Sequence, residues 1–259
     1  MLIDTHCHLH DVESFPDPGE EIRKAREAGV ERIVVVGVQP SDWTAAVALA
    51  DRHEEVYAVV GWHPNYTAAY ERGSLEGLAE FLRHPKVLAL GEIGLDYHWD
   101  YAPPSIQRQA LDDQLELARD LSVPVVFHAR EAYSDLLDAL EAFGPHPFLL
   151  HCFAGEEEDA RRGAALGCYF GIDGPLTYKK ADDLRRIVGT LPRDRVVLET
   201  DSPYMAPVPF RGKKNTPAYV ACVNQALARL WSVPAETSAQ VTTENAIRFF
   251  GERLRTRCR

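Results

Sequence analysis

Residues 87–96 read VLALGEIGLD, and the fold turns on this stretch. Its apolar residues run on without the in–out alternation of a half-exposed strand, as in parallel strands buried on both faces. Its glycines suggest a nucleotide-binding turn, but "GEIGLD" lacks the third glycine of the dinucleotide fingerprint. A closed barrel is therefore the preferred arrangement, and a doubly wound open sheet is the competitor.

Similar runs recur along the chain: MLIDTH (1–6), RIVVVGV (32–38), VYAVVGWHP (56–64), PVVFHARE (124–131), PFLLHCF (147–153), CYFGI (168–172) and RVVLETDSP (195–203). Helical patterns lie between them. Residues 42–53 place Trp43, Ala46, Val47 and Ala50 on one face, and residues 104–121 place Leu111, Leu115 and Ala118 likewise after Pro103 and Pro104. Eight β-then-α units, roughly 28 residues apart, predict an α/β chain folded as a (β/α)8 TIM barrel. No linker interrupts the pattern, so residues 1–259 are expected to form a single domain. Segments 216–231 and 235–250 are expected as two closing helices with Pro234 between them.

A formal net charge of -11 leaves no broad basic surface for gripping a polyanion, so any phosphate must be caught locally. The five cysteines form no CxxC pair and fit reduced thiols in a cytoplasmic protein. No apolar run approaches the ~20 residues of a membrane span, so no membrane association is expected. None of these features fixes the oligomeric state.

Active sites in this fold are built where strands end and βα loops begin. Strand one ends in His6 and His8, strand three in His63, strand four in Glu92, strand five in His128, strand six in His151 and strand eight in Asp201. Side chains two apart on a strand share a face, so His6 and His8 form a pincer while Cys7 points the other way. Imidazoles and carboxylates gathered in one mouth would repel and lose hydration, and a cation is the natural way to hold them. The set exceeds the four-ligand demand of one zinc, and two ions sharing Glu92 use it economically. His53, His84, His98 and His146 follow no such pattern, and His10 lies past the strand end.

Taken together, DTHCHL, GWHP, GEIGLDYH, QRQALDDQLELA, PVVFHARE, HCFAG and VVLETDSPYMAPVPFRGKKNTP resemble the TatD family of metal-dependent deoxyribonucleases, within the amidohydrolase superfamily. The match runs nearly end to end. The resemblance implies two divalent ions, Mg, Mn or Zn, with His6, His8 and Asp201 on one, His128 and His151 on the other, and Glu92 bridging. It also implies 3′ to 5′ removal of nucleotides from DNA. His10, Ala154 and Asn65 stand where the family often has Asp, Ser and His, which bears on substrate contact and leaves the ligands intact.

On this basis Asp201 is expected as general base and His63 as a donor to a phosphate oxygen. Arg130 and the RGKKN loop, with Arg211, Lys213 and Lys214, are expected to meet the DNA phosphates. Amide or ester hydrolysis by the same metals is the alternative, and a noncatalytic metal scaffold a third.

Overall fold

The computed structural model describes residues 1–255. Strands and helices alternate: β1 (Leu2–Cys7), α1 (Pro18–Glu27), β2 (Val30–Gly37), α2 (Pro40–Arg52), β3 (Val56–Val60), α3 (Leu75–Leu82), β4 (Val87–Asp96), α4 (Pro104–Leu121), β5 (Val125–Arg130), α5 (Tyr133–Phe143), β6 (Phe148–Leu150), α6 (Glu157–Ala165), β7 (Tyr169–Ile172), α7 (Asp182–Val188), β8 (Val196–Leu198), α8 (Val220–Trp231) and α9 (Ala235–Phe250). One eight-stranded sheet carries the strands in sequence order, with β1–β2, β3–β4, β4–β5, β5–β6 and β7–β8 paired in parallel. This is the strand order of a (β/α)8 barrel. Each apolar run of the sequence supplies one strand, and β4 is buried along its whole length.

The chain divides into two compact units: Met1–Val35 with the chain from Phe170 onward, and Val36–Tyr169. In the first, α9 packs on β1 and β8. Its buried Asn245 donates to the carbonyls of Arg193 and Val196, both at 2.8 Å. The first closing helix begins later than its pattern predicts. Pro217–Tyr219 form a 3-10 turn, and regular helix starts at Val220.

In the second unit, polar side chains of α4 fix the strand ends. The Gln114 amide accepts from the Trp62 N–H at 2.8 Å and donates back to the Trp62 carbonyl at 3.2 Å, which locks the segment leading to His63. The Trp43 indole N–H donates to the Gly61 carbonyl at 2.8 Å. The Gln114 amide and the Trp43 indole are thereby satisfied, as they must be where water cannot reach them.

Gly94 faces His128 in the β4–β5 register. A Cβ at Gly94 would stand 2.0 Å from the His128 carbonyl oxygen, and its φ of +140° is a conformation that other residues rarely adopt. Gly94→Ala should therefore destabilise the protein by more than about 3 kcal/mol, because backbone on both strands must give way. Gly77→Ala is the control: this glycine sits in α3 with open space around its Cβ position, and the change should stabilise by about 0.5–1 kcal/mol. Denaturant midpoints of the two variants measure both effects, and equal midpoints would contradict the close approach of β4 and β5.

Candidate metal centre

In the second unit, Glu92 of β4 is 3% exposed, and three imidazoles converge on its Oε1 oxygen. His128 Nδ1 lies at 2.9 Å, His63 Nε2 at 3.6 Å and His151 Nε2 at 3.9 Å. Only the first is a hydrogen bond; the His151 separation exceeds by about half an ångström the ~3.0–3.4 Å between ligand atoms that share a cation with bonds of ~2.1 Å.

The His128 ring spans the gap between two carboxylates of one strand, with Nδ1 on Glu92 and Nε2 at 2.9 Å from Asp96 Oδ2. Burial alone would depress its pKa, but the hydrogen bonds to Asp96 and Glu92 prevail and raise it to about 9. Burial opposes ionisation of Asp96, yet the His128 contact outweighs it and brings that carboxyl down to about 2. In the metal-free protein, His128 therefore carries a proton between two negative groups. A bound metal would take Nδ1, while Asp96 continues to hold Nε2 and orients the ring.

His63 is placed by a different bond. It follows β3 and caps a 3-10 turn, its Nδ1 accepting from the Asn65 N–H at 3.1 Å. That contact leaves the proton on Nε2, so His63 faces Glu92 as a donor. Burial, then the charge of His128, lowers its pKa and keeps the ring neutral. A neutral Nε2–H suits donation to an oxygen and opposes metal ligation through that atom.

In the first unit, His6, His8 and Asp201 come together. His8 Nε2 lies 3.4 Å and His6 Nε2 4.0 Å from Asp201 Oδ1. The two rings meet edge to face, with centroids 5.3 Å apart. Cys7 is buried, and its thiol donates to the Val34 carbonyl at 3.5 Å. Asp201 adopts a left-handed φ of 54°, an uncommon conformation for a residue with a side chain. Its N–H donates to the His6 carbonyl at 2.9 Å, and the Ser202 carbonyl accepts from the His8 N–H at 2.7 Å. Behind this turn, buried Asp4 accepts from the Thr200 N–H at 2.9 Å and the Thr200 hydroxyl at 2.7 Å.

The basic residues separate into engaged and available side chains. The Lys214 ammonium donates to the Ser14 carbonyl at 2.5 Å and lies over the Phe15 ring. Arg211 rests 4.2 Å from the Tyr178 ring centroid, and Lys213 is exposed. Arg130 is exposed at the end of β5, 5.5 Å from the Trp99 ring centroid. His10 is kept neutral, its pKa lowered to about 4 chiefly by burial and then by His8. His98 pairs with Glu131, and His84 with Asp51.

Asp96 and Gln107 were not picked out from the sequence. Glu92, Gly94 and Asp96 occupy alternate positions of one strand, so period-two spacing was the available signal for the second acid.

The family model for TatD related DNase matches residues 3–251. The chain belongs to the TatD family. It is 39% identical over 252 residues to the uncharacterized metal-dependent hydrolase YabD of Bacillus subtilis, covering 96% of this chain and 99% of YabD. It is 30% identical to the 3'-5' ssDNA/RNA exonuclease TatD of Erwinia tasmaniensis, covering 96% and 99% of the two chains. The crystal structure of YjjV, a TatD homolog from Escherichia coli K12, superposes with a TM-score of 0.90 at 34% identity, covering 96% of this chain and 97% of that one. This TatD-family chain is a metal-dependent hydrolase, and its clustered imidazoles and carboxylates are a donor set suited to divalent ions. Among the described residues, no helix is long and apolar enough to cross a membrane.

The proton on His128 gives a titratable signature. Its pKa of about 9 means that a metal entering at neutral pH must displace that proton. Calorimetric titration of the metal-free protein with Mn2+ at pH 7.5, in buffers of different ionisation enthalpy, should show release of at least about one proton. Apparent affinity should rise as pH climbs toward 9 and then level off. Binding without proton release at pH 7.5 would contradict this assignment.

Proposed function

We propose that this TatD-family protein is a nuclease that removes nucleotides from the 3′ end of DNA, working as one domain over residues 1–259 with two divalent ions. The observation that carries the reading is the approach of His128 Nδ1 and His151 Nε2 to one oxygen of buried Glu92, at 2.9 and 3.9 Å. A buried carboxylate so surrounded is suited to a cation. The relatives named 3'-5' ssDNA/RNA exonuclease support the substrate class.

In this proposal His6, His8 and Asp201 hold one ion, and Glu92, His128 and His151 hold the other. The mixture of imidazole and carboxylate suits Mg, Mn or Zn. When bound, such ions acidify water and offset the charge of the attacked phosphate. The protein's own groups do the rest. Asp201 receives the proton of the attacking water. His63 offers its Nε2–H to a phosphate oxygen, the role its Nδ1 contact with Asn65 prepares. Arg130, Arg211 and Lys213 meet the phosphates of the incoming strand, while Lys214 serves chiefly to tie its loop to Ser14.

End-labelled DNA incubated with Mg2+ or Mn2+ should yield a ladder shortening from the 3′ end, with no turnover of amide or ester substrates. Glu92→Gln keeps the side-chain shape and removes the charge, so metal content should fall and activity drop by at least about a hundredfold, while circular dichroism stays unchanged. Wild-type turnover in this variant would refute the metal role of Glu92, and amide hydrolysis without a DNA ladder would refute the nuclease.

A further inference from the structure

The loop after β4 carries two large rings into solvent. Trp99 is 44% exposed and Tyr101 59%, and the two lie nearly parallel, 23° between planes, with centroids 5.7 Å apart. Looseness of the loop does not account for this. Asp96 Oδ1 accepts from the His98 and Trp99 N–H groups at 3.0 and 3.2 Å. Buried Gln107 accepts from the Asp96 N–H at 2.8 Å and donates to the carbonyls of Asp96 and Ala102, at 2.9 and 3.0 Å, closing both ends of the loop. The Tyr97 hydroxyl donates to Asp135 at 2.8 Å, and the His98 ring meets Glu131 at 2.7 Å.

A well-anchored loop thus holds a pair of rings away from the core, where burial would otherwise favour them. The surroundings identify what they face. Arg130 pairs in register with Asp96, its guanidinium lies 5.5 Å from the Trp99 centroid, and it makes no ion pair among the described residues. Several other exposed arginines are engaged by carboxylates, as Arg161 is by Glu158 and Arg255 by Glu244. A flat aromatic face beside an unspent cation is complementary to a ligand that is itself flat and anionic. The same Asp96 that starts the loop holds His128, so this pair of rings is tied to the metal-facing imidazole by one side chain.

We propose that Trp99 and Tyr101, with Arg130 beside them, form a stacking subsite for the unpaired bases of a single-stranded nucleic acid. The proposal rests on the nuclease reading and deepens it. Stacking needs an open base face, so this subsite selects frayed or single-stranded ends over paired ones, and it tolerates any base because every base has a π-face.

The test compares two cleavage-resistant phosphorothioate oligonucleotides of equal length and charge, one with all its bases and one abasic over its 3′-terminal positions. Fluorescence anisotropy should show wild-type protein binding the base-bearing strand about tenfold more tightly. The Trp99→Ala/Tyr101→Ala double variant should bring that ratio to about one, with the loss confined to the base-bearing strand, and Trp99→Phe should retain most of the preference. Arg130→Gln should weaken both strands alike. A wild-type ratio of one, an unchanged ratio in the double variant, or an equal loss for both strands would overturn the subsite and leave the nuclease standing. A fall of several degrees in the melting temperature of the double variant would also overturn it, by showing that the rings support the fold. Wild-type protein that binds neither strand would overturn the nuclease reading and the subsite with it.

Discussion

The second unit is organised around one imidazole held between two carboxylates of the same strand. Glu92 and Asp96 stand four residues apart on β4, and Gly94 between them leaves room for the His128 backbone to approach. Two acids this deeply buried would be expensive without a positive partner, and the fold supplies one in advance as a protonated histidine. The arrangement also keeps a ligand geometry ready. If His128 held a metal as proposed, Asp96 would still fix the ring through Nε2, so little of the surroundings would have to reorganise. The same carboxylate caps the start of the loop after β4 through two backbone N–H groups, which couples the orientation of His128 to the loop carrying Trp99.

The first unit solves a related problem with backbone bonds. Asp201 leaves β8 in a left-handed conformation that must be held in place, and the restraint comes from β1. The His6 carbonyl and the His8 N–H bond the backbone on either side of the Asp201 side chain, so the residues proposed to bind metal are also stitched together through their peptides. Asp4, two residues before His6 on the same strand, secures Thr200 from beneath, and burial raises the pKa of that carboxyl well above its ordinary range. A short pattern such as DTH therefore does two jobs: the acid fixes the partner strand's turn, and the histidine faces the carboxylate which that turn presents.

Much of this was legible from the sequence because apolar runs and strand ends are local features. VLALGEIGLD and seven similar runs became the eight strands, although Glu92 and His128 lie within β4 and β5 and not at their ends as the pattern predicts. What stayed hidden was partnership. Gln107 and Gln114 are polar residues of α4, yet they are buried because each amide pairs with a backbone that only the fold brings near. Lys214 sits in a basic loop and reads as a phosphate contact, but a carbonyl and a ring from the segment after β1 engage it. The tautomer of His63 is likewise decided by the Asn65 N–H, a turn geometry that an HP dipeptide does not reveal.

The acidic balance of the chain makes these local details matter. With a net charge of -11, the field of the whole protein opposes a polyanion at long range, and screening confines any attraction to short distances. Affinity must then come from contacts that work within a few ångströms. Surface arginines paired with neighbouring glutamates, such as Arg23 with Glu20, are neutralised locally and offer little to a phosphate. Arg130 forms no such pair among the described residues and stands beside an aromatic ring, which attracts the guanidinium without cancelling its charge. Stacking, unlike counterion release, is insensitive to net charge and falls off sharply when the ring is not offered face-on. On the proposed nuclease reading, an acidic protein gains most by fixing its aromatic rings rigidly. The Gln107 and Asp96 bonds do this for the loop after β4.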